Sequence, residues 1–250
     1  MLLRQVMKHV ADQNWVAVAL DFAIVVIGVF VGIQVSNWNA ARLSEQRAED
    51  FMHRIHEDIS DDITGIESRL AFMEQIIVFG EDAIAYAEAD GTDGGWPMVV
   101  AFYQASQIWP FQPNATTYEE LLGAGEIGLI RNDMIREELA DYYNVSRAEV
   151  LTLDPDYRKT IREITPYPVQ RYVWANCHDH GVMDQRLIDC ASPVSDDEAD
   201  AILASFKANP EALDQLRFWM TIARMSQDFL ELKRTAAMNL QTEIEADQHW

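Results

Sequence analysis

Residues 16–35 read VAVALDFAIVVIGVFVGIQV, and this apolar run decides the architecture that we expect for the chain. Only Asp21 and one glutamine near the end of the run interrupt it. A helix of twenty residues rises about 30 Å, which matches the hydrocarbon thickness of a bilayer. Trp15 and Trp38 bracket the run, as aromatic side chains do at membrane interfaces. The sequence therefore predicts a transmembrane helix over residues 15–37.

Two other interpretations of this run stay open at the level of sequence. A cleavable signal peptide has a shorter apolar stretch and ends at a small-residue cleavage site. Here the run passes through Gln34–Trp38 directly into a helical pattern, which favours an uncleaved anchor. The second alternative is a helix buried in the core of a soluble protein.

One face of the predicted span carries small and polar side chains, which we call the small-residue stripe. At 100° per residue its members fall close together: Asn14, Asp21, Gly28, Gly32 and, as an extension, Ser36. A G-x-x-x-G spacing lets a second helix approach closely in lipid. A carboxylate facing lipid costs about 2.5–3.5 kcal/mol at mid-membrane. Asp21 therefore favours a helix–helix interface here, unless it lies shallow enough to reach water and the glycines are incidental.

Residues 1–14 precede the span and alternate apolar with basic side chains at helical spacing. This pattern is typical of a short amphipathic helix lying on a membrane surface. It fits an ordinary helical lead-in equally well.

The charge of the chain is concentrated after the span. Residues 1–38 are balanced, so the whole formal charge of −22 belongs to residues 39–250. A surface this negative repels phosphate backbones, so nucleic acid is excluded as an expected partner. The acidic excess is typical of a solvated surface that keeps a domain soluble.

The two cysteines, Cys177 and Cys190, lie thirteen positions apart in the loop-like stretch NCHDHGVMDQRLIDC. Two cysteines close in sequence and beyond a membrane anchor predict one local disulfide in an oxidising compartment. Two unrelated reduced thiols are the alternative. Basic residues flank both ends of the span and do not decide its orientation. We expect a bacterial inner-membrane protein with a cytoplasmic N-terminus and a periplasmic domain over residues 38–250.

Two long amphipathic helices are predicted at the ends of this acidic domain. The first repeats apolar residues at steps of three and four over residues 52–84, with Gly80 in the one gap, and runs to about Ala89. The last follows a cap and an N1 proline at Asn209-Pro210. Its apolar repeat is Leu213, Leu216, Met220, Ala223, Phe229, Leu232, Ala236 and Leu240. We expect the two helices to pair as an antiparallel hairpin in an all-α bundle.

Shorter helices are expected to pack over this pair, and caps and prolines mark their ends. In chain order we predict a helix over Trp96–Trp109 ended by Pro110 and Pro113, and a capping box at Thr117 and Glu120 that opens a helix through Leu122. The next helix is capped by Asn132 and runs to about Leu153, with any interruption expected near Asn144. A further helix starts at Asp154-Pro155 and is broken by Pro166 and Pro168, and a second capping box follows at Ser195 and Glu198.

Two blocks of the sequence carry a resemblance to a known family. Residues 12–15 and 32–39, DQNW and GIQVSNWN, are similar to the start of a family of bacterial single-pass membrane proteins of unknown function. Residues 116–123, 128–132 and 141–143 resemble a second block of that family. The resemblance implies an anchored helical protein and brings no known activity.

Two pairs of histidines are candidate metal ligands. His178 and His180 lie two residues apart between the cysteines, where a loop can present both to one ion. His53 and His56 share a helix face with Glu49, a spacing that occurs in metal sites of helical bundles. A stable site needs further ligands, so a polar loop and a solvated helix flank are the alternatives.

No serine or cysteine nucleophile occurs in a triad or elbow pattern, so we expect neither an enzyme nor a cofactor. The preferred hypothesis is a structural or accessory membrane protein whose partners are membrane lipid and another transmembrane helix, from its own copy or from another subunit. One alternative is a periplasmic sensor that holds a small molecule near Trp96–Tyr118. Another is a metal-dependent enzyme that uses His178 and His180.

Overall fold

A computed structural model describes most of the chain, over residues 15–89, 94–144, 154–181 and 184–248. Within these ranges the protein is all-α, as predicted, with eight α-helices, one 3-10 helix and one short β-hairpin. By its internal contacts the chain divides into two compact units, residues 1–51 and residues 52–250.

The described elements follow one another along the chain in this order. The helices are α1 Trp15–Glu88, α2 Gly95–Gln104, α3 Thr116–Gly123, α4 Asp133–Tyr143, α5 Asp156–Ile164, α6 Tyr167–Asn176, α7 Asp196–Lys207 and α8 Pro210–Gln248. A 3-10 helix, Ile127–Leu129, precedes α4. The hairpin pairs β1, His178–His180, antiparallel with β2, Gln185–Leu187.

The first unit contains the apolar part of α1. All side chains of residues 16–35 are exposed. Among the described residues this is the one helix long and apolar enough to cross a membrane, with a mean hydropathy of 2.7 and none of its apolar window buried. A core helix of a soluble protein is covered by its own chain, and no described residue covers this one.

In the second unit, residues 52–88 of α1 pack against α8. A set of surface contacts, which we call the α1–α8 ladder, joins the two segments. Its pairs are Glu88–Arg217 at 2.7 Å, Glu81–Arg224 at 2.9 Å, Glu74–Arg224 at 3.3 Å, Glu67–Arg234 at 4.0 Å and Glu245–His56 at 3.0 Å. Later positions of α1 meet earlier positions of α8, so the segments run antiparallel. Because exposed ion pairs contribute about 0–1 kcal/mol each, the ladder fixes register more than it adds stability.

The apolar seam of α1 lies in the core of the second unit. Its buried members are Met52, Ile55, Ile59, Ile66, Leu70, Met73 and Ile77. At Gly80 the two long segments touch, since a Cβ added there would lie 2.0 Å from Met220 Sδ. Gly80 thus interrupts the apolar seam because the Met220 side chain of α8 occupies the space beside it.

The predicted apolar repeat of α8 is wrong at three of its later positions, although its last member, Leu240, is buried. Leu232 is 66% exposed, and Phe229 and Ala236 are exposed as well, whereas Ser226 and Ala237 are buried. A step of six residues turns the helix by about 240°, so Phe229 cannot share a face with the buried position six residues before it. The inner face continues through small and polar side chains, which the apolar pattern overlooks.

The predicted helix over Trp96–Trp109 is wrong at its end, because α2 stops at Gln104. The next residues form tight turns, in which the Ser106 N–H donates to the Tyr103 carbonyl at 3.1 Å and the Gln107 N–H to the Gln104 carbonyl at 3.0 Å. The Ser106 hydroxyl donates to the same Tyr103 carbonyl at 2.6 Å. Polar side chains therefore end the helix before the prolines do.

The capping box predicted at Thr117 and Glu120 is wrong. The N-cap of α3 is Ala115, which makes no side-chain hydrogen bond. The Thr117 N–H instead donates to Asp58 Oδ2 of α1 at 3.3 Å, and Glu120 pairs with Arg54. At the start of α3 the Thr117 N–H is thus satisfied by a side chain of α1, and the Thr116 N–H by Asn114 Oδ1 at 3.4 Å.

The other predicted caps are confirmed. Asn132 accepts the N–H groups of α4, Ser195 and Glu198 form a capping box for α7, and Asn209 Oδ1 accepts the Ala212 N–H at 3.1 Å. Helix α4 ends at Tyr143 with Asn144 as its C-cap, at the place where an interruption is predicted. Residues 145–153 lie outside the described ranges.

Helix α6 and the hairpin are absent from the sequence-based prediction. Pro166 and Pro168 do end α5, but they also open α6, with a proline in its first turn. The hairpin is held to α1 by Gln75, which accepts the Leu187 N–H at 2.9 Å and donates to the Leu187 carbonyl at 3.1 Å. The Gln75 side chain thus satisfies the Leu187 N–H and carbonyl at the outer edge of β2, as the backbone of a third strand would.

Candidate functional site

The small-residue stripe lies on the exposed apolar part of α1. Asp21, Gly28, Gly32 and Ser36 are all exposed, and Asn14 lies outside the described residues. A Cβ added at either glycine would meet nothing within 4 Å. The two glycines are about 6 Å apart along the axis, so they form one shallow groove. Such a groove can receive a second helix at short range.

The cysteines are joined to each other in the second unit. A disulfide links Cys177 to Cys190, with their Cα atoms 5.1 Å apart. Cys177 is fully buried, and its carbonyl accepts the side-chain amide of Gln104 at 2.7 Å. The Cys190 carbonyl accepts the indole N–H of Trp96 at 3.0 Å. Both ends of the bridge are therefore tied to α2 as well as to each other.

The histidines beside the disulfide form a cluster of tilted and edge-on rings with Trp174. The rings of His178 and His180 are 4.1 Å apart, and the Trp174 ring is 4.9 Å from the first and 4.3 Å from the second. His180 Nε2 donates to the Trp174 carbonyl at 2.8 Å. Burial, and then the neighbouring His180, lower the pKa of His178. The buried His178 ring also lies 5.9 Å from the Phe72 ring of the core, whereas His180 is exposed.

The candidate metal ligands find no third partner in the part of the chain that the structure describes. His53 Nδ1 lies 3.6 Å from Glu57 Oε2, and His56 Nε2 lies 3.0 Å from Glu245 Oε1. These two histidines therefore face separate carboxylates rather than one shared point. His178 Nε2 lies 3.2 Å from Gln185 Oε1, while its Nδ1 is buried without a hydrogen bond.

A buried carboxylate that the sequence analysis missed connects α1 with α3 and α4. Asp62 is 4% exposed, and its two oxygens accept the Asn114 N–H and the Tyr142 hydroxyl, each at 2.8 Å. Asp58, one turn earlier, accepts the Asn114 side-chain amide at 2.7 Å. Burial is the main cause that raises the pKa of Asp62. Because the chain has many Asp and Glu residues, only its hydrogen-bond partners distinguish Asp62 from the others.

We expect the substitution Asp62→Asn to remove a pH-dependent destabilisation. The folded protein holds the carboxyl proton of Asp62 to higher pH than the unfolded chain does. The contribution of Asp62 to the free energy of unfolding is therefore fully present below its ordinary pKa of 3.8, and it is lost as pH rises through the raised pKa of the folded state. Urea unfolding of both proteins at pH 4 and pH 7 measures the effect. The variant should gain stability relative to wild type at the higher pH. An equal difference at both pH values contradicts the prediction.

A cleft of about 710 Å³ lies between the starts of α5 and α8. Tyr157 and Trp219 form part of its lining, and four carboxylates also line it: Asp154, Asp156, Glu211 and Asp214. The last of these pairs with Arg217 at 2.9 Å. This cleft is lined by different residues from Trp96–Tyr118, the region predicted for a small molecule.

Comparisons of the chain with protein-family models, with curated proteins and with solved structures give no match. The functional assignment therefore depends on the residues and geometry described above.

Proposed function

We propose that the chain is a membrane-anchored accessory protein that binds another membrane helix through the small-residue stripe. The observation that carries this proposal is the apolar run of residues 16–35, whose side chains are exposed throughout. Burying apolar surface contributes about 25 cal/mol per Å², so a run of this kind strongly favours lipid over water. Lipid is accordingly the first partner of the chain.

Asp21 and the glycine groove support a protein partner within the membrane. A carboxylate exposed to lipid is costly, and contact with a polar group of a second helix reduces that cost. Gly28 and Gly32 leave room for a close approach on the same face. The partner is a second copy of the chain or another membrane subunit.

The disulfide supports a location for the second unit. Structural disulfides persist in oxidising compartments, which in bacteria means the periplasm. The bridge between Cys177 and Cys190 therefore favours an inner-membrane protein with its N-terminus in the cytoplasm and its acidic helical domain in the periplasm.

Replacing Gly28 and Gly32 together with leucine should weaken association of the span several-fold, because two leucine side chains fill the groove. A transmembrane-pairing reporter carrying residues 15–37 measures this for self-association. The matched control replaces Val29 and Ile33 with leucine, at the same spacing one position around the helix. This control should leave the signal unchanged.

Native purification of the full chain in mild detergent, with mass spectrometry, identifies the partner. Co-eluting subunits lost in the double glycine variant indicate a hetero-complex, and a pure oligomer lost in that variant indicates self-association. The interface is contradicted if the glycine variant keeps every partner. The anchor itself is contradicted if the intact chain appears in the soluble fraction without detergent.

A further inference from the structure

Two arginines of α5 converge on the turn that follows α2. Arg158 Nη1 and Arg162 Nη2 both donate to Gln107 Oε1, at 3.3 and 3.2 Å. Arg158 Nη1 also donates to the Ser106 carbonyl at 2.9 Å, and Arg162 Nη1 donates to the Ser106 hydroxyl at 2.6 Å. Gln107 Oε1 thus holds the guanidinium groups of Arg158 and Arg162 side by side.

The acceptors of both arginines are neutral. Across the described ranges no carboxylate lies within ion-pair distance of Arg158 or Arg162, and Asp154 acts on them only at longer range. Other arginines do have carboxylate partners, namely Arg54, Arg136, Arg186, Arg217, Arg224 and Arg234. Burial, and then the charge of Arg162, lower the pKa of Arg158 to about 10. Two adjacent cations without an anion are an unfavourable arrangement.

The groups that hold the arginines are rigid and buried. Gln104, Ser106 and Gln107 have almost no exposed surface. The Gln107 amide donates to Gln104 Oε1 at 3.1 Å, and the Gln104 amide donates to the Cys177 carbonyl at 2.7 Å. This chain of amides fixes the oxygen on which the guanidinium groups meet. The site is therefore preorganised before any ligand arrives.

Donor groups remain available on the outer side. Arg158 Nε and Nη2 and Arg162 Nε hold no hydrogen bond within the described structure, and none of them is an enclosed atom. Both side chains are half-buried, so solvent reaches them. The planar guanidinium fork matches two oxygens of a carboxylate or a phosphate group.

We infer that Arg158 and Arg162 bind the carboxylate or phosphate group of a small molecule, with Gln107 holding both guanidinium groups in position. The net charge of −22 repels extended polyanions, so a ligand with one such group is favoured over nucleic acid. This site lies within the second unit, and its function does not depend on association of the membrane span.

Isothermal titration of the purified full chain in non-ionic detergent tests the inference. The probes are inorganic phosphate and acetate, each against buffer matched in ionic strength with chloride. We expect saturable binding of one of them at one site per chain, and the comparison of the two distinguishes phosphate from carboxylate recognition. Absence of saturable binding of both up to about 10 mM overturns the inference.

Variants test whether the bound probe occupies this site. Arg158→Gln should weaken binding about tenfold or more, because a charge-assisted hydrogen bond is lost. Arg158→Lys keeps the charge without the planar fork and should also weaken binding. The matched control, Arg224→Gln on α8, should bind as wild type does. Unchanged affinity in a folded Arg158→Gln or Arg158→Lys protein overturns the assignment.

Discussion

Replacing Trp219 with alanine is expected to lower the free energy of unfolding of the second unit by about 3–5 kcal/mol. The indole is 2% exposed in the main core cluster, where α8 packs against α1 and α2. Its N–H donates to the Ala105 carbonyl at 2.8 Å. The substitution therefore leaves both a cavity and an unsatisfied carbonyl. Urea unfolding of the full chain in detergent, followed by near-ultraviolet circular dichroism, measures the loss.

The adjacent residue supplies the control for this prediction. Phe218 is 68% exposed, so Phe218→Ala should change the free energy of unfolding by less than about 0.5 kcal/mol. Trp219→Phe should give an intermediate loss of about 1 kcal/mol, because the ring is kept and the hydrogen bond is not. Equal losses of unfolding free energy in Trp219→Ala and Phe218→Ala would contradict the burial of Trp219 and the exposure of Phe218 on α8.

Removing the disulfide, by replacing Cys177 and Cys190 with alanine, is expected to cost about 3 kcal/mol. The thirteen-residue separation closes a short loop, and opening it gives the unfolded chain more conformational freedom. Alanine is the suitable replacement, because a serine hydroxyl at the buried Cys177 position would itself be penalised.

A reducing agent provides the second arm of the same experiment. Dithiothreitol should lower the melting temperature of the wild type toward that of the double alanine variant, and it should leave the variant unchanged. A wild-type melting temperature that does not respond to reductant, with thiol release confirmed, would contradict a stabilising role for the bridge.

The features predicted correctly from sequence depend on a few neighbouring residues. The caps at Asn132, Ser195 and Asn209 each satisfy N–H groups two or three residues ahead, and such local geometry is visible in the sequence. The small-residue stripe is also visible from the helical period alone, but its role as an interface stays a prediction. The buried seam of α1 is equally visible, because one apolar residue per turn recurs over many turns.

The features that were missed depend on distant parts of the chain. Asp62 meets Tyr142 across 80 positions, and Gln75 meets Leu187 across 112. Just after the end of α2, Arg158 donates to the Ser106 carbonyl and to Gln107 Oε1, and no local pattern indicates these contacts. The prediction of the inner face of α8 was partly wrong for a related reason. This face includes small and polar residues, such as Ser226 and Ala237, that are buried because other parts of the chain pack against them. These positions are recognised by the distant residues that they contact, and their residue types alone do not indicate those contacts.

The contact between Gly80 and Met220 makes one thioether sensitive to its chemical state. Because Gly80 has no side chain, the Met220 sulfur lies directly against the backbone of α1, and the side chain is only 6% exposed. Conversion to the sulfoxide would add a polar oxygen where the helices leave no room. Oxidation of this one sulfur should therefore loosen the packing of α1 against α8.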